Sequence, residues 1–239
     1  MALKGVELEG NRYDIHYDII NPSGSQDIIF LHGWGSNKEV MKSGFAKQFP
    51  TLRHIYIDMP GFGKSPNKQI LTTQIYAKII SSFLNNINSN RFAIAGHSLG
   101  GKVATLLSPQ NLILLSSAGI PQVKKLSVRI KIAIFKTLKP FGFSRFYRLF
   151  ATKDAKGMPK NMYETLKNVV DEDFSDVFRE YYGNALIFWG IDDTATPLEA
   201  GEKISSLILR NRFTPLSGNH YFFLDHGEEI ETICQEKFK

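Results

Sequence analysis

The stretch RFAIAGHSLGGKVATLL, residues 91–107, constrains the fold more than any other part of the chain. An apolar run leads directly into the pattern G-x-S-x-G, and a helix-forming run follows without a spacer. A strand that enters a helix this tightly forces the middle residue, Ser98, into a strained backbone conformation, so the residues two positions away must be small. Gly96 and Gly100 meet that requirement. We therefore predict a strand, a sharp turn that presents the Ser98 hydroxyl, and a helix.

Short apolar runs alternate with longer amphipathic runs along most of the chain. Strands are predicted within residues 27–35, 53–65, 91–107, 111–119, 184–193 and 210–220. Helical spacing of apolar residues predicts a helix over 72–87, capped by Thr72 or Thr73, and further helices follow at 198–209 and 227–238. This order predicts an α/β fold whose mostly parallel, doubly wound sheet is covered by helices on both faces. Chemistry in such sheets lies outside the carboxyl ends of the strands.

Residues 121–182 interrupt the alternation, and we predict that they form a helical cap inserted into a core made of 1–120 and 183–239. Residues 121–160 hold eleven lysines and arginines but only one acidic residue. We favour the interpretation that these basic side chains lie on the solvent-exposed outer faces of the cap. The alternatives are that they attract an anionic substrate or that they contact a lipid surface. Nucleic-acid binding is not expected, because no recognition motif accompanies the charge. The helical pattern of this segment is not clean, because apolar residues alternate like a strand over residues 126–134.

Composition excludes several other classes of protein. The single cysteine, Cys234, rules out an intrachain disulfide and a cysteine-based zinc cluster. The first residues lack the basic and apolar regions of a signal segment, and no apolar run approaches the ~18 residues of a membrane span. From these observations we expect a cytoplasmic protein.

A serine nucleophile needs a base, and the base needs an orienting carboxylate. Among six histidines, His220 has the best position, because it opens the loop after the last predicted strand. Asp192 and Asp193 follow the penultimate strand and lie between Ser98 and His220, in the chain order that this architecture requires. A metal site at the two aspartates is not expected, because hard cations need several oxygen ligands and no acidic cluster lies nearby in the sequence. His32 is expected to brace its own loop.

Five segments, HGWGSN, DMPGFGKS, GHSLGGK, WGIDDTATP and SGNHYFFLDH, together resemble the α/β-hydrolase superfamily. The resemblance implies that Ser98 is the nucleophile, His220 the base and Asp193 the acid. It also implies an oxyanion hole formed by the backbone N–H groups of Trp34 and Leu99, and a helical cap between the sixth and seventh strands.

The resemblance leaves Asp192 as a turn residue that bonds local backbone. One position departs from the family's pattern: Asn219 stands before the base histidine, where the family usually has glycine.

The function expected from this resemblance is a serine hydrolase, of the carboxylic ester hydrolase class, that acts on a small ester or acyl substrate. No cofactor and no metal are expected. Two alternatives stay open: hydrolysis of a carbon–carbon bond in a vinylogous diketone by the same residues, and a non-catalytic ligand-binding protein on the same fold. Fold alone does not choose among them.

Overall fold

The computed structural model describes residues 1–121 and 158–237 of the chain. The strands are β1 (Ala2–Leu8), β2 (Asn11–Ile20), β3 (Asp27–Leu31), β4 (Arg53–Ile57), β5 (Ala93–His97), β6 (Asn111–Leu115), β7 (Asn184–Gly190) and β8 (Asn211–Leu216). They form one sheet with the order β1-β2-β4-β3-β5-β6-β7-β8. The pairs β1–β2 and β2–β4 are antiparallel, and all other neighbouring pairs are parallel. The predicted mostly parallel sheet is therefore confirmed.

Helices follow most of the strands. They are α1 (Lys38–Phe45), α2 (Thr73–Asn86), α3 (Leu99–Leu106), α4 (Lys160–Val169), α5 (Ser175–Arg179), α6 (Leu198–Leu207) and α7 (Gly227–Lys237), with a short 3₁₀ turn at Phe222–Leu224. Thr72 caps α2, since its side chain accepts a hydrogen bond from the backbone N–H of Ile75 at 3.2 Å. Every helix of the described residues is too short or too polar to cross a lipid bilayer.

Both faces of the sheet are buried. On β5, Ile94 points into the cluster beneath α2, α3 and α6, while Ala93 and Ala95 point into the cluster beneath α1 and α7. This alternation is what a strand with a period of two residues imposes. Because Ile94 is fully buried, its truncation to alanine would cost about 2–5 kcal/mol of folding free energy. The rigid sheet gives the loops at its carboxyl edge a fixed base.

The predicted cap falls between β6 and β7. Residues 122–157, which carry most of the basic segment, lie outside the described residues, so the interpretations of that segment stay predictions. Residues 158–182 form α4 and α5, and they pack on the core through Met162, Phe174 and Phe178.

Candidate active site

The turn between β5 and α3 places Ser98 at the carboxyl edge of the sheet. Ser98 has φ 51° and ψ −114°, which is a strained conformation for a residue with a side chain. A Cβ atom on Gly96 would lie 2.3 Å from the carbonyl oxygen of Gly100, and one on Gly100 would lie 2.3 Å from that of Leu31. The two glycines are therefore required by close approach of the backbone, as the sequence predicted.

Hydrogen bonds from the surrounding backbone hold this turn. The N–H of Ser98 donates to Leu115 O at 3.2 Å, and Ser98 O accepts from the N–H groups of Gly101 and Ala118 at 3.0 and 3.1 Å. Strained backbone persists only where neighbouring structure determines it, and these bonds meet that condition. The hydroxyl-bearing residue is thus held at a fixed position.

His220 and Asp193 meet across the loops that follow β8 and β7. His220 Nδ1 lies 2.7 Å from Asp193 Oδ2. A carboxylate only accepts hydrogen bonds, so Nδ1 carries the proton and, in the neutral ring, Nε2 is left with a free lone pair. The Asp193 side chain is fully buried, whereas that of His220 is 18% exposed. The unprotonated Nε2 therefore belongs to a ring that is partly exposed.

Asp193 is held as a carboxylate by its other partners. Its Oδ1 accepts from the N–H groups of Ala195 and Thr196 at 2.8 and 3.0 Å, and the Thr196 hydroxyl donates to Oδ2 at 2.8 Å. Burial opposes ionisation, but the hydrogen bonds from His220 and Thr196 outweigh it and lower the pKa of Asp193 to about 2. Trp189 Nε1 donates to Thr196 O at 2.7 Å and so fixes this loop on β7.

The expected role of Asp192 in bonding local backbone needs correction. Its side chain is exposed and makes no hydrogen bond with the residues that the structure describes. The neighbour, Asp193, makes the local backbone bonds instead, through the oxygen that does not contact His220. Asp193 therefore bonds the turn and the histidine at once: Oδ1 accepts from the turn backbone, and Oδ2 accepts from His220.

Asn219 fits the loop before His220 without glycine's conformational freedom. The positive φ of this loop, 114°, belongs to Gly218. The Asn219 side-chain oxygen accepts from the N–H of Tyr221 at 2.8 Å, which forms a local turn. The departure from the family's glycine therefore leaves the position of His220 defined.

Two backbone N–H groups lie beside Ser98. Leu99 is the first residue of α3, so its N–H has no partner within the helix. Neither this N–H nor that of Trp34 makes a hydrogen bond with the described part of the chain. A Cβ on Gly33 would lie 3.1 Å from Ser98 Cβ, so the Trp34 loop passes directly over the turn. These two N–H groups are therefore the predicted oxyanion donors, and that role stays a prediction.

His32 braces that loop, as predicted from the sequence. Its Nδ1 lies 2.7 Å from Gly33 O and its Nε2 accepts from the N–H of Met59 at 3.0 Å. The carbonyl can only accept, so the proton is on Nδ1. Burial lowers the pKa of His32 to about 4, and the ring is neutral near pH 7.

A cleft of about 380 Å³ opens beside Trp34. Its walls come from the Trp34 loop, the loop after β4 and the start of α4: Trp34, Gly35, Gly61, Phe62, Gly63, Lys64, Ser65, Pro66, Asn67, Met158, Pro159 and Met162. The walls are mainly apolar, with Lys64 the only charged side chain among them. In the described residues, no group of three or more His, Cys, Asp or Glu side chains is placed to hold a metal ion.

The structure brings the predicted residues to one edge of the sheet. Ser98 and Leu99 follow β5, Asp193 follows β7 and His220 follows β8. The ring of His97, the residue before Ser98, lies 4.5 Å from the ring of His220. Thr196 is not among the predicted site residues, although its position three residues after Asp193 is a spacing at which an aspartate accepts a backbone N–H bond.

Comparisons with known proteins show the family and the fold of the chain. The sequence profile of the alpha/beta hydrolase family matches residues 28–232. An uncharacterized hydrolase of Bacillus subtilis (strain 168) is 26% identical over 234 residues, which cover 80% of this chain and 81% of that protein. A pimeloyl-[acyl-carrier protein] methyl ester esterase of Pectobacterium carotovorum is 33% identical over 86 residues, 36% of this chain and 32% of its own length. An esterase from Exiguobacterium antarcticum superposes with a TM-score of 0.76 at 20% identity, over 98% of both chains.

Proposed function

The chain belongs to the alpha/beta hydrolase family, and we propose that it is a serine hydrolase that cleaves a small ester or acyl substrate through Ser98, His220 and Asp193. The observation that carries the proposal is the 2.7 Å contact of His220 with Asp193 next to the turn that presents Ser98. Esterases among the structural neighbours and among the sequence relatives support the reaction class.

In the first half of the proposed reaction, Ser98 Oγ attacks the carbonyl carbon of the substrate. His220 Nε2 takes the hydroxyl proton, and buried Asp193 stabilises the imidazolium that forms. The carbonyl π electrons move to its oxygen, which accepts hydrogen bonds from the N–H groups of Trp34 and Leu99. Removal of one such donor costs ~10²–10³ in turnover.

The tetrahedral intermediate then collapses. The bond to the alcohol breaks as His220 returns its proton to the leaving oxygen, and the acyl group stays on Ser98. His220 Nε2 then takes a proton from a water molecule, whose oxygen attacks the acyl carbon. The bond from that carbon to Ser98 Oγ breaks as His220 returns the proton to Oγ, and the carboxylic acid leaves. No cofactor enters this sequence of steps.

The cleft beside Trp34 is our candidate for the substrate pocket, because Trp34 lines it and also carries one of the two proposed oxyanion donors. Its mainly apolar walls suit an acyl or alcohol chain, and Lys64 at its edge is compatible with an anionic group on that chain. An ester with a charged acyl group therefore belongs in any substrate panel, beside neutral esters of different chain length.

A fluorophosphonate probe tests the proposal without a known substrate. The probe should label the wild-type protein once, and mass spectrometry of the digested protein should place the adduct on Ser98. Absence of labelling, with a folded protein, would favour the non-catalytic ligand-binding alternative. Labelling of another residue would reject the assignment of Ser98.

A further inference from the structure

His97 lies directly before Ser98, and the proposed mechanism gives its side chain no role. The residue is 1% exposed. Its ring centroid lies 4.5 Å from that of His220 and 5.0 Å from those of Tyr221 and Phe223. The imidazole is therefore packed against the loop that carries the proposed base.

One hydrogen bond joins the imidazole to that loop. His97 Nε2 lies 2.9 Å from the backbone oxygen of His220. A carbonyl only accepts, so Nε2 carries the proton and donates it, and Nδ1 of the neutral ring is left unprotonated. Nδ1 is buried and makes no hydrogen bond within residues 1–121 and 158–237. Burial of an imidazole nitrogen that has no hydrogen-bond partner costs folding free energy. A functional role for the bond that the other nitrogen makes to His220 would explain why this cost is tolerated.

The opposite edge of the same ring faces the loop that carries Gly33 and the proposed oxyanion donor Trp34, which we call the oxyanion loop. A Cβ on Gly33 would lie 2.9 Å from His97 Nδ1. The imidazole thus fills the space between the loop of Trp34 and the loop of His220. A shift of its ring would reach both loops.

The ring is uncharged under ordinary assay conditions. Burial, followed by the effect of nearby His220, lowers the pKa of His97 to about 3. The titratable groups that face it are His220, Asp193, His32 and Tyr221. A neutral donor can hold the backbone of the base without placing a second positive charge beside it.

We propose that His97 is a positioning residue: its Nε2–H fixes the His220 main chain, and its ring spaces the base loop from the oxyanion loop. This inference rests on the proposed function, because it assigns His97 a part in aiming Nε2 of His220 at Ser98. Small displacements of such a base reduce the rate strongly, since misplacement by about 1 Å can cost ~10²-fold.

The matched variants are His97→Gln and His97→Met, which have side chains of similar length but differ in the N–H donor. The rate of fluorophosphonate labelling of Ser98 is measured from pH 5 to 9, together with the thermal midpoint of each variant. We expect the Gln variant to label within about threefold of wild type. We expect the Met variant, at a similar thermal midpoint, to label about tenfold more slowly and with a shifted pH of half-maximal rate. Equal rates for Gln and Met, or a wild-type rate and pH profile for Met, would overturn the proposal.

A measurement on the wild-type protein covers the case in which a variant does not fold. Nitrogen-15 NMR of the imidazoles should show His97 as the neutral Nε2–H tautomer from pH 8 to 5, and the proton on Nδ1 would overturn the proposal. The NMR result does not depend on hydrolysis. If wild-type Ser98 fails to react with the probe, the proposed function fails, while the tautomer still decides whether His97 holds the loop.

Discussion

His220 Nδ1 lies 2.7 Å from Asp193 Oδ2, across the loops that follow two neighbouring parallel strands. Because Asp193 has its other oxygen on the backbone of its own loop, it cannot turn toward solvent without losing several hydrogen bonds. The contact fixes both the orientation of the imidazole and the nitrogen that carries its proton.

The two adjacent aspartates give a matched test of this contact. Asp193→Asn replaces an acceptor with an amide that can point its NH₂ group at Nδ1, which favours the wrong tautomer of His220. We expect kcat for p-nitrophenyl butyrate to fall by about 10⁴-fold, the loss that the corresponding change causes in serine proteases. Asp192→Asn, at an exposed position, should stay within about twofold of wild type. Equal losses, or a larger loss for Asp192→Asn, would mean that the acid has been assigned to the wrong aspartate.

A methyl group on Gly33 should move the oxyanion loop. The added Cβ would lie 2.9 Å from His97 Nδ1 and 3.1 Å from Ser98 Cβ, so the loop that carries the Trp34 N–H must shift. We expect Gly33→Ala to lower kcat by about 10²-fold, near the effect of losing one oxyanion donor. Gly5→Ala is the control, because its Cβ would approach only the flexible end of Arg12. Full activity of Gly33→Ala would argue against a role for this loop.

A buried lysine should anchor the segment after α4 to the core. Lys102 Nζ lies 2.8 Å from a carboxylate oxygen of Glu172 and also donates to Val169 O. Lys102 is 1% exposed and Glu172 is 21% exposed. Lys102→Met leaves a carboxylate and a carbonyl without this partner, so we expect a loss of about 3 kcal/mol in the free energy of unfolding.

The control for that experiment is an exposed ion pair. Lys167 contacts Glu164 on the surface of α4, and Lys167→Met should cost less than about 1 kcal/mol. Urea denaturation of both variants measures the difference. A cost for Lys102→Met as small as that of the control would contradict the expectation that the buried pair anchors this segment.

Two buried histidines predict a pH dependence of stability. Burial lowers the pKa of His32 from 6.5 to about 4 and that of His97 from 6.5 to about 3. Below pH 6.5 the unfolded chain therefore binds more protons than the folded protein, and stability falls as the pH falls toward 4. Each histidine adds a slope of up to about 1.4 kcal/mol per pH unit in that window.

Denaturation in urea at pH 7, 6 and 5 measures this slope. His32→Asn keeps a donor near the position of Nδ1 but does not titrate, so it should reduce the slope while leaving the fold intact. A wild-type stability that is flat between pH 6.5 and 5 would contradict the assignment of both rings as buried and neutral.

The spacing of apolar residues along the sequence predicts the helices and strands in which that spacing is regular. The strands β3 to β8 and the helices α2, α3, α6 and α7 agree with the predicted segments to within a few residues. The hairpin of β1 and β2 is not among the predicted elements. Its turn is formed by Glu9 and Gly10, which both have positive φ, of 50° and 75°, as a tight hairpin turn requires. Helix α1 was also missed, and its only local signal is the cap at Asn37, which accepts from the N–H of Glu39 at 3.0 Å.

Some residues of the candidate site are likewise predicted by local sequence, and others are not. Ser98, with its two glycines, is predicted by local sequence because the turn itself demands small residues. The choice of Asp193 over Asp192 came from the resemblance to a family, since a pair of neighbours carries no local signal for which one faces a histidine. The bond from His97 to His220 O joins residues 123 positions apart, and no pattern within either segment indicates it.

The most direct test of the account is hydrolysis of p-nitrophenyl butyrate by the wild-type protein and by Ser98→Ala. Our prediction is that the wild type releases p-nitrophenol and that Ser98→Ala loses activity by about 10⁴-fold or more, with an unchanged circular dichroism spectrum and thermal midpoint. Undiminished hydrolysis by folded Ser98→Ala would contradict it.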